Sequence, residues 1–195
     1  PRTARHNASE AELVNRLEGR RIDSVGRHGK FLVLGLDDGY TMVAHLGMSG
    51  RFRLSEASEP TERHTHFVAV LDDHVELRFV DSRTFGFVAV YDEDELSLSG
   101  VSRLGPDAWL NPPTASELGA AFARRIAPVK ALLLDQRPIS GLGNIYIDEA
   151  LHMAGIHPLT PGSDIDNDDL EALLGAIRRV LESAIKRGGT TLDDF

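Results

Sequence analysis

Gly141-Leu142-Gly143-Asn144-Ile145-Tyr146, running directly into Ile147-Asp148-Glu149-Ala150-Leu151, decides how the second half of this chain is read. Glycines at alternate positions permit a tight turn whose backbone can sit against a partner with no Cβ in the way. Asn144 then reads as a helix N-cap, followed by a helix with acidic side chains near its start. Unpaired amides and the positive end of the helix dipole face the turn, which makes an anion site with phosphate as its natural occupant. The same residues also read as a capped turn between two packed helices, and the stretch alone does not separate the two readings.

Working outward, the upstream run Val129-Lys130-Ala131-Leu132-Leu133-Leu134-Asp135-Gln136 is helical in pattern. Gly105-Pro106 and Asn111-Pro112-Pro113 form a breaker-rich linker ahead of it. Helices are predicted over residues 116–125, 129–134, 145–154 and 168–186, the last with an apolar stripe of Leu170, Leu173, Leu174, Ile177, Val180, Leu181 and Ile185. Before residue 100 the pattern changes. Ser9 and Glu12 read as a capping box opening a helix over residues 10–17, which Gly19 stops. Short β-rich runs follow at 22–25, 31–36, 41–45, 51–54, 66–71, 75–80 and 85–91, with turns at Asp37-Asp38-Gly39 and Asp72-Asp73. The expected fold class is α+β: a two-sheet β-sandwich over residues 1–100, then a helical domain over 101–195.

At 195 residues and 42% hydrophobic composition, the chain is long enough for one large or two small cores. It has no cysteine, which excludes a disulfide framework or a cysteine-ligated zinc site within these residues. No apolar run approaches the ~20 residues that span a membrane, and no signal-peptide pattern opens the chain, so the cytosol is the expected location. A net charge of −9 argues against a nucleic-acid partner, but its distribution softens that objection: residues 1–30 hold seven Lys or Arg against four acids. The deficit concentrates in Asp92-Glu93-Asp94-Glu95 and in residues 164–171, which are expected on solvated faces.

Several strings carry candidate chemistry. Arg27-His28-Gly29-Lys30-Phe31-Leu32 places cations before an apolar strand, which also serves as ordinary strand-edge charge. His45-Leu46-Gly47-Met48-Ser49-Gly50 is a glycine-rich turn with a methionine at its tip, where burial as a core plug is harder to arrange than for most methionines. His64-Thr65-His66 sets two histidines at alternate strand positions, with no third ligand at a recognisable spacing for a metal. Asp81-Ser82-Arg83-Thr84-Phe85-Gly86, the pair Arg124-Arg125 and Lys130 complete the set, Lys130 by itself reading as a surface lysine opposite an apolar face.

From Lys130 to Leu151 the chain resembles the helix-two-turn-helix of the formamidopyrimidine-DNA glycosylase family, and the strings at Lys30, Met48 and Arg83 match that family in the same order. The resemblance runs from about Ser9 to Phe195. It implies a bifunctional DNA glycosylase and abasic-site lyase of base-excision repair, acting as a monomer on oxidised purines in damaged double-stranded DNA of the bacterial cytosol, with no membrane partner. By the same resemblance, a secondary amine is implied to attack the sugar C1′, expel the base and form a Schiff base that permits elimination of the flanking phosphates. Lys30 is implied to reach the DNA backbone at the lesion and donate a proton during strand cleavage. Met48 and Phe85 are implied to fill the void left by an everted nucleotide, and Arg83 to meet its orphaned partner base. His64 and Asn144 are implied to hold phosphates, His45 and Arg125 to make further DNA contacts, and Lys130 to point into the lesion pocket. The separation of Met48 from Arg83 and Phe85 resembles the purine-directed branch, whereas Ser82 and Thr84 depart from residues common in relatives.

Two family features are not found in these residues: a Pro-Glu opening, since Pro1 precedes Arg2-Thr3, and a four-cysteine zinc finger. The chain is therefore expected to be a fragment with no cofactor of its own, the zinc lying in a finger outside it, and to bind DNA without excising bases. A non-catalytic DNA-binding protein of the same fold is the alternative of a different class.

Overall fold

The computed structural model describes residues 2–72 and 74–189; Pro1, half of the Asp72-Asp73 turn and the tail 190–195 lie outside it. The chain divides into two compact units, Pro1–Ser102 and Arg103–Phe195.

In the first unit, Ser9 caps α1 (Glu10–Leu17) by accepting from the Glu12 amide at 3.1 Å. The Glu12 carboxylate takes the amide of Ala8, one residue ahead of the cap, so the capping box is displaced by one position from that predicted. The strands are β1 (Ile22–His28), β2 (Phe31–Leu36), β3 (Thr41–His45), β4 (Arg51–Glu56), β5 (Thr65–Val70), β6 (Val75–Val80) and β7 (Phe87–Tyr91). They form two antiparallel sheets, ordered β1-β2-β3-β7 and β4-β6-β5.

Because side chains alternate along a strand, register decides which residues share a face. Leu34, Met42 and Val90 lie opposite one another in the first sheet, as do Leu32, Ala44 and Val88. Phe52, Phe79 and Phe67 lie opposite one another in the second. Met42, Ala44, Val88, Val90 and Phe79 share one buried cluster, with Phe52 and Phe67 packed on it, so the sheets close face to face as a sandwich.

Two departures from the sequence reading affect the site. β7 starts at Phe87 instead of residue 85, which frees residues 81–86 as a loop. The acidic run is not wholly a solvated face: Asp92 and Glu95 exchange side-chain and backbone bonds as a capping box that starts α2 (Glu93–Leu98). Glu95 also pairs with Arg16, which donates to the Val90 carbonyl at 3.0 Å.

The second unit holds α3 (Ala115–Phe122), α4 (Val129–Leu134), α5 (Asn144–Ala154) and α6 (Asn167–Lys186). Leu118, Phe122, Leu133, Ile139, Leu142, Ile147, Leu151, Leu173 and Ile177 are fully buried in one core. On α6 the inner face is completed by Ala176 and Ala184, while Ile185, read as part of the stripe, is 54% exposed. α3 stops at Phe122, short of the predicted residue 125, because Arg124 turns into the left-handed region at φ 62°.

The linker glycine Gly105 is pressed against backbone: a Cβ there would lie 1.9 Å from the Arg137 carbonyl oxygen. Gly175, inside α6, meets nothing closer than 3.9 Å. The two therefore respond oppositely to alanine in thermal or urea unfolding. Gly105→Ala is expected to destabilise by about 1–3 kcal/mol through overpacking, and Gly175→Ala to stabilise by about 0.5–1 kcal/mol through helix propensity.

Candidate nucleic-acid interface

The starts of β2, β4, β5 and β7 and the ends of β3 and β6 meet at one end of the sandwich, as the pairings Phe31 with His45, His45 with Phe87, Arg51 with Val80 and Thr65 with Val80 require. At that end Asp81 is fully buried. Its Oδ1 accepts from Ser49 Oγ at 2.6 Å and from the Arg83 amide at 3.2 Å, and its Oδ2 from the Gly86 amide at 2.8 Å. The Thr84 amide adds a further bond. Burial by itself pushes the carboxyl pKa up; the bonds from Ser49, Gly86, Arg83 and Thr84 outweigh it and hold Asp81 below the ordinary carboxylate range. The Asp81 amide donates to the His64 carbonyl at 3.0 Å, and its carbonyl meets His66 Nε2 at 2.9 Å.

Around this carboxylate the 46–50 turn and the 82–86 loop are pressed together. A Cβ on Gly47 would sit 2.7 Å from the Gly86 nitrogen and 2.9 Å from the Phe85 carbonyl carbon. Arg5 grips the loop through its carbonyls, donating to Gly86 O and Phe85 O at 2.9 Å each. With the backbones held, the side chains project: Met48 is 70% exposed, Phe85 is 51% exposed, and the Arg83 guanidinium lies 5.7 Å from the Phe85 ring centre.

His45 ends β3, its ring edge-on to Phe31 and parallel to Phe87. Its Nδ1 accepts the Gly47 amide at 3.0 Å, which leaves the proton of the neutral ring on Nε2 as a donor. Burial, then the charges of Lys30 and Arg5, lower its pKa, which favours the neutral ring. Lys30 follows the Gly29 turn (φ 57°), accessible to solvent yet desolvated enough to lower its own pKa. His64 is exposed at φ 67° just ahead of β5. Lys30, His45, Met48, His64, Arg83 and Phe85 therefore gather at one end of one sandwich.

In the second unit, Gly143 and not Asn144 is the N-cap of α5; Asn144 is the first helical residue, exposed, with the first helix bond running from the Ile147 amide to the Gly143 carbonyl at 3.0 Å. A glycine cap brings no side chain of its own, so the amides opening the helix face outward at its positive end. Lys130 is not a lone cation: its Nζ lies 2.8 Å from Asp148, one turn beyond Asn144 on α5. Arg125 lies 3.9 Å from Asp135, a carboxylate that Arg137 holds more closely. The turn between α4 and α5 is fixed by Gln136 (φ 67°), whose side chain donates to Leu134 O and Leu142 O and accepts from the Gly141 amide.

Asp81, Arg5 and Gln136 were not singled out from sequence. Asp81 alone left a signal there, an aspartate at a strand end positioned to bond the amide two residues on. The depressed carboxyl sets a pH test. Its stabilising bonds are fully present above the unfolded carboxylate pKa of about 4 and are lost as pH falls through the lower folded value. The stability difference between the wild type and Asp81→Asn, about 2–4 kcal/mol at neutral pH for several charged hydrogen bonds, should stay flat on the neutral side and shrink on the acid side in urea titrations.

The family model for the formamidopyrimidine-DNA glycosylase N-terminal domain matches residues 1–88, and that for the H2TH domain of the same enzyme matches residues 104–195. The formamidopyrimidine-DNA glycosylase of Chloroflexus aggregans is 44% identical over 184 residues, covering 94% of this chain and 66% of the relative. That of Bacillus subtilis is 37% identical over 196 residues, covering 100% and 71%. The chain thus spans about two thirds of the length of these curated relatives. Among solved structures, Lactococcus lactis Fpg (MutM) in complex with DNA containing Fapy-dG matches with a TM-score of 0.87 and 28% identity, over 98% of this chain and 72% of that one. The same enzyme bound to DNA with an abasic site matches equally, at 0.87 and 28%, over 98% and 70%. By sequence and by fold, this chain belongs to the formamidopyrimidine-DNA glycosylase family.

Proposed function

We propose that the protein carrying this chain is a base-excision glycosylase and abasic-site lyase that removes oxidised purines from duplex DNA, and that residues 1–195 supply its grip on the DNA. The observation that carries this reading is the pair of exposed apolar side chains, Met48 and Phe85, held beside Arg83 on backbones that the protein fixes from several sides. Apolar side chains on rigid loops suit insertion into a base stack, where they offset an unstacking cost of about a few kcal/mol per step. Arg83 beside them suits the base that has lost its partner.

Lys30, the Nε2 proton of His45, and the outward amides and side chain of Asn144 suit phosphate oxygens, which set position without reading sequence. Lys130 and Arg125 join them by exchanging Asp148 and Asp135 for DNA. Lys30, whose desolvation eases release of its proton, is assigned the proton-donating part in strand cleavage. Among the described residues no group of three or more His, Cys, Asp or Glu is arranged to hold a metal, and the chain has no cysteine. The zinc of the family is therefore assigned to a finger outside these residues, and no step is routed through it. No helix among the described residues is long and apolar enough to cross a membrane, and acting on duplex DNA fits a protein of the cytosol or nucleoid.

Incubated with a duplex containing a formamidopyrimidine, the protein is expected to release the base and to be trapped on the DNA by borohydride; tight lesion binding with neither outcome would leave a non-catalytic DNA-binding protein. Residues 1–195 alone are expected to bind without being trapped, because Pro1 is followed by Arg2 and Thr3 and no acid stands beside it. Lys30→Ala should lower the slope of log affinity against log salt by about one, the counterion released at one phosphate. An unchanged slope would place Lys30 off the backbone.

A further inference from the structure

The 46–50 turn and the 82–86 loop both cross between the two sheets, the turn from β3 to β4 and the loop from β6 to β7. The Asp81 carboxylate and the Ser49 hydroxyl tie them to each other. Ser49 Oγ donates to Asp81 and accepts from the Arg83 amide at 3.2 Å, so a single hydroxyl spans from the Met48 turn to both the carboxylate and the loop. The Gly86 amide closes the far side of the loop onto the same carboxylate. Gly47 and Gly86 leave no side chain between the two backbones, and a Cβ on either Gly50 or Gly86 would enter the buried ring of Phe79, at 2.9 and 2.5 Å. The assembly rests on the sandwich core below and presents Met48 and Phe85 above.

We propose that Asp81 is a positioning residue that makes the Met48 turn and the Arg83–Phe85 loop one rigid wedge, so that the two enter a damaged duplex together and their contributions to lesion recognition are coupled. This rests on the wedge reading given above. Two independently mobile loops would each have to be ordered on insertion, whereas a unit fixed beforehand has lost that freedom already. Asp81 is out of reach of DNA, being fully buried, and acts only through the backbones it holds. Asparagine at this position keeps the shape but turns an amide N–H toward donors, which breaks the link without removing either wedge.

The test is a double-mutant cycle on binding to two duplexes, one carrying a tetrahydrofuran abasic analogue with 2-aminopurine opposite and one intact. Met48→Ala and Asp81→Asn are each expected to lower the preference for the abasic duplex by about tenfold, as loss of a void-filling wedge predicts. The double variant is expected to lose about tenfold as well, whereas independent sites would multiply to about a hundredfold. In Asp81→Asn, affinity for intact duplex, carried by Lys30 and Asn144, should stay within about twofold, a split that general loss of folding would not produce. The 2-aminopurine signal on binding should fall in both single variants.

Should Asp81→Asn fail to fold, Ser49→Ala cuts only the link between the loops and leaves the amide bonds to Asp81; it should show the same coupling to Met48→Ala, and Ser49→Thr should restore the preference. Multiplicative losses, or an unchanged preference in Asp81→Asn and Ser49→Ala while Met48→Ala loses it, would overturn the coupling and spare the wedge. An unchanged preference in Met48→Ala would overturn the wedge reading and the coupling with it.

Discussion

A carboxylate sealed from water needs donors on both oxygens, because leaving a buried charge unpaired costs several kcal/mol. Asp81 meets that requirement with backbone amides and one hydroxyl. The Arg83 and Gly86 amides must converge on it, which curls the chain between β6 and β7 and forces Thr84 to φ 55°. Ser49 must approach, which brings the 46–50 turn onto the loop, and Gly47 and Gly86 are the only residue type that fits where the two backbones then touch. The Arg83 guanidinium remains at the surface, beside the Phe85 ring.

Periodicity made most of the scaffold legible. β2, β3, β6 and α4 occur where alternation and helical spacing put them, since each buries a face whose hydrophobic pattern survives in the sequence. The misreadings share a physical cause. Asp92-Glu93-Asp94-Glu95 looked like a solvated charge run because composition hides that Asp92 and Glu95 stand three apart and cap a helix. Ile185 lost its inner place to Ala184 because the face a helix presents at its last turn depends on what lies opposite, which spacing does not carry. Asn144 was displaced from the cap by Gly143 because an extended glycine ends the turn one residue sooner.

The candidate site was legible where its residues are defined by what they show to a partner and hidden where they are defined by what they hold in place. Met48, Phe85 and Lys30 stand in short strings with a recognisable family pattern. Asp81, Arg5 and Gln136 act on backbone amides and carbonyls 2 to 81 residues away in the chain. A side chain that bonds backbone places almost no demand on the identity of its partner, so it leaves no pair of residue types to be read.

The charge balance follows the same division. The chain is acidic overall, yet Lys30, Arg83 and Arg5 gather at one end of the sandwich, and burial, then the charges of Lys30 and Arg5, lower the pKa of His45 among them. In the helical unit Lys130 and Arg125 are already matched with Asp148 and Asp135. A phosphate binding there gains only the difference between itself and the carboxylate it displaces, which is small for exposed pairs. Charge in the helical unit therefore adds little, and on the proposed reading the hold on undamaged DNA, where every phosphate is alike, rests on Lys30 and Asn144. On that reading discrimination falls to the rigid apolar pair, Met48 and Phe85, whose contribution would be realised only where the stack already has a gap or can be opened at low cost.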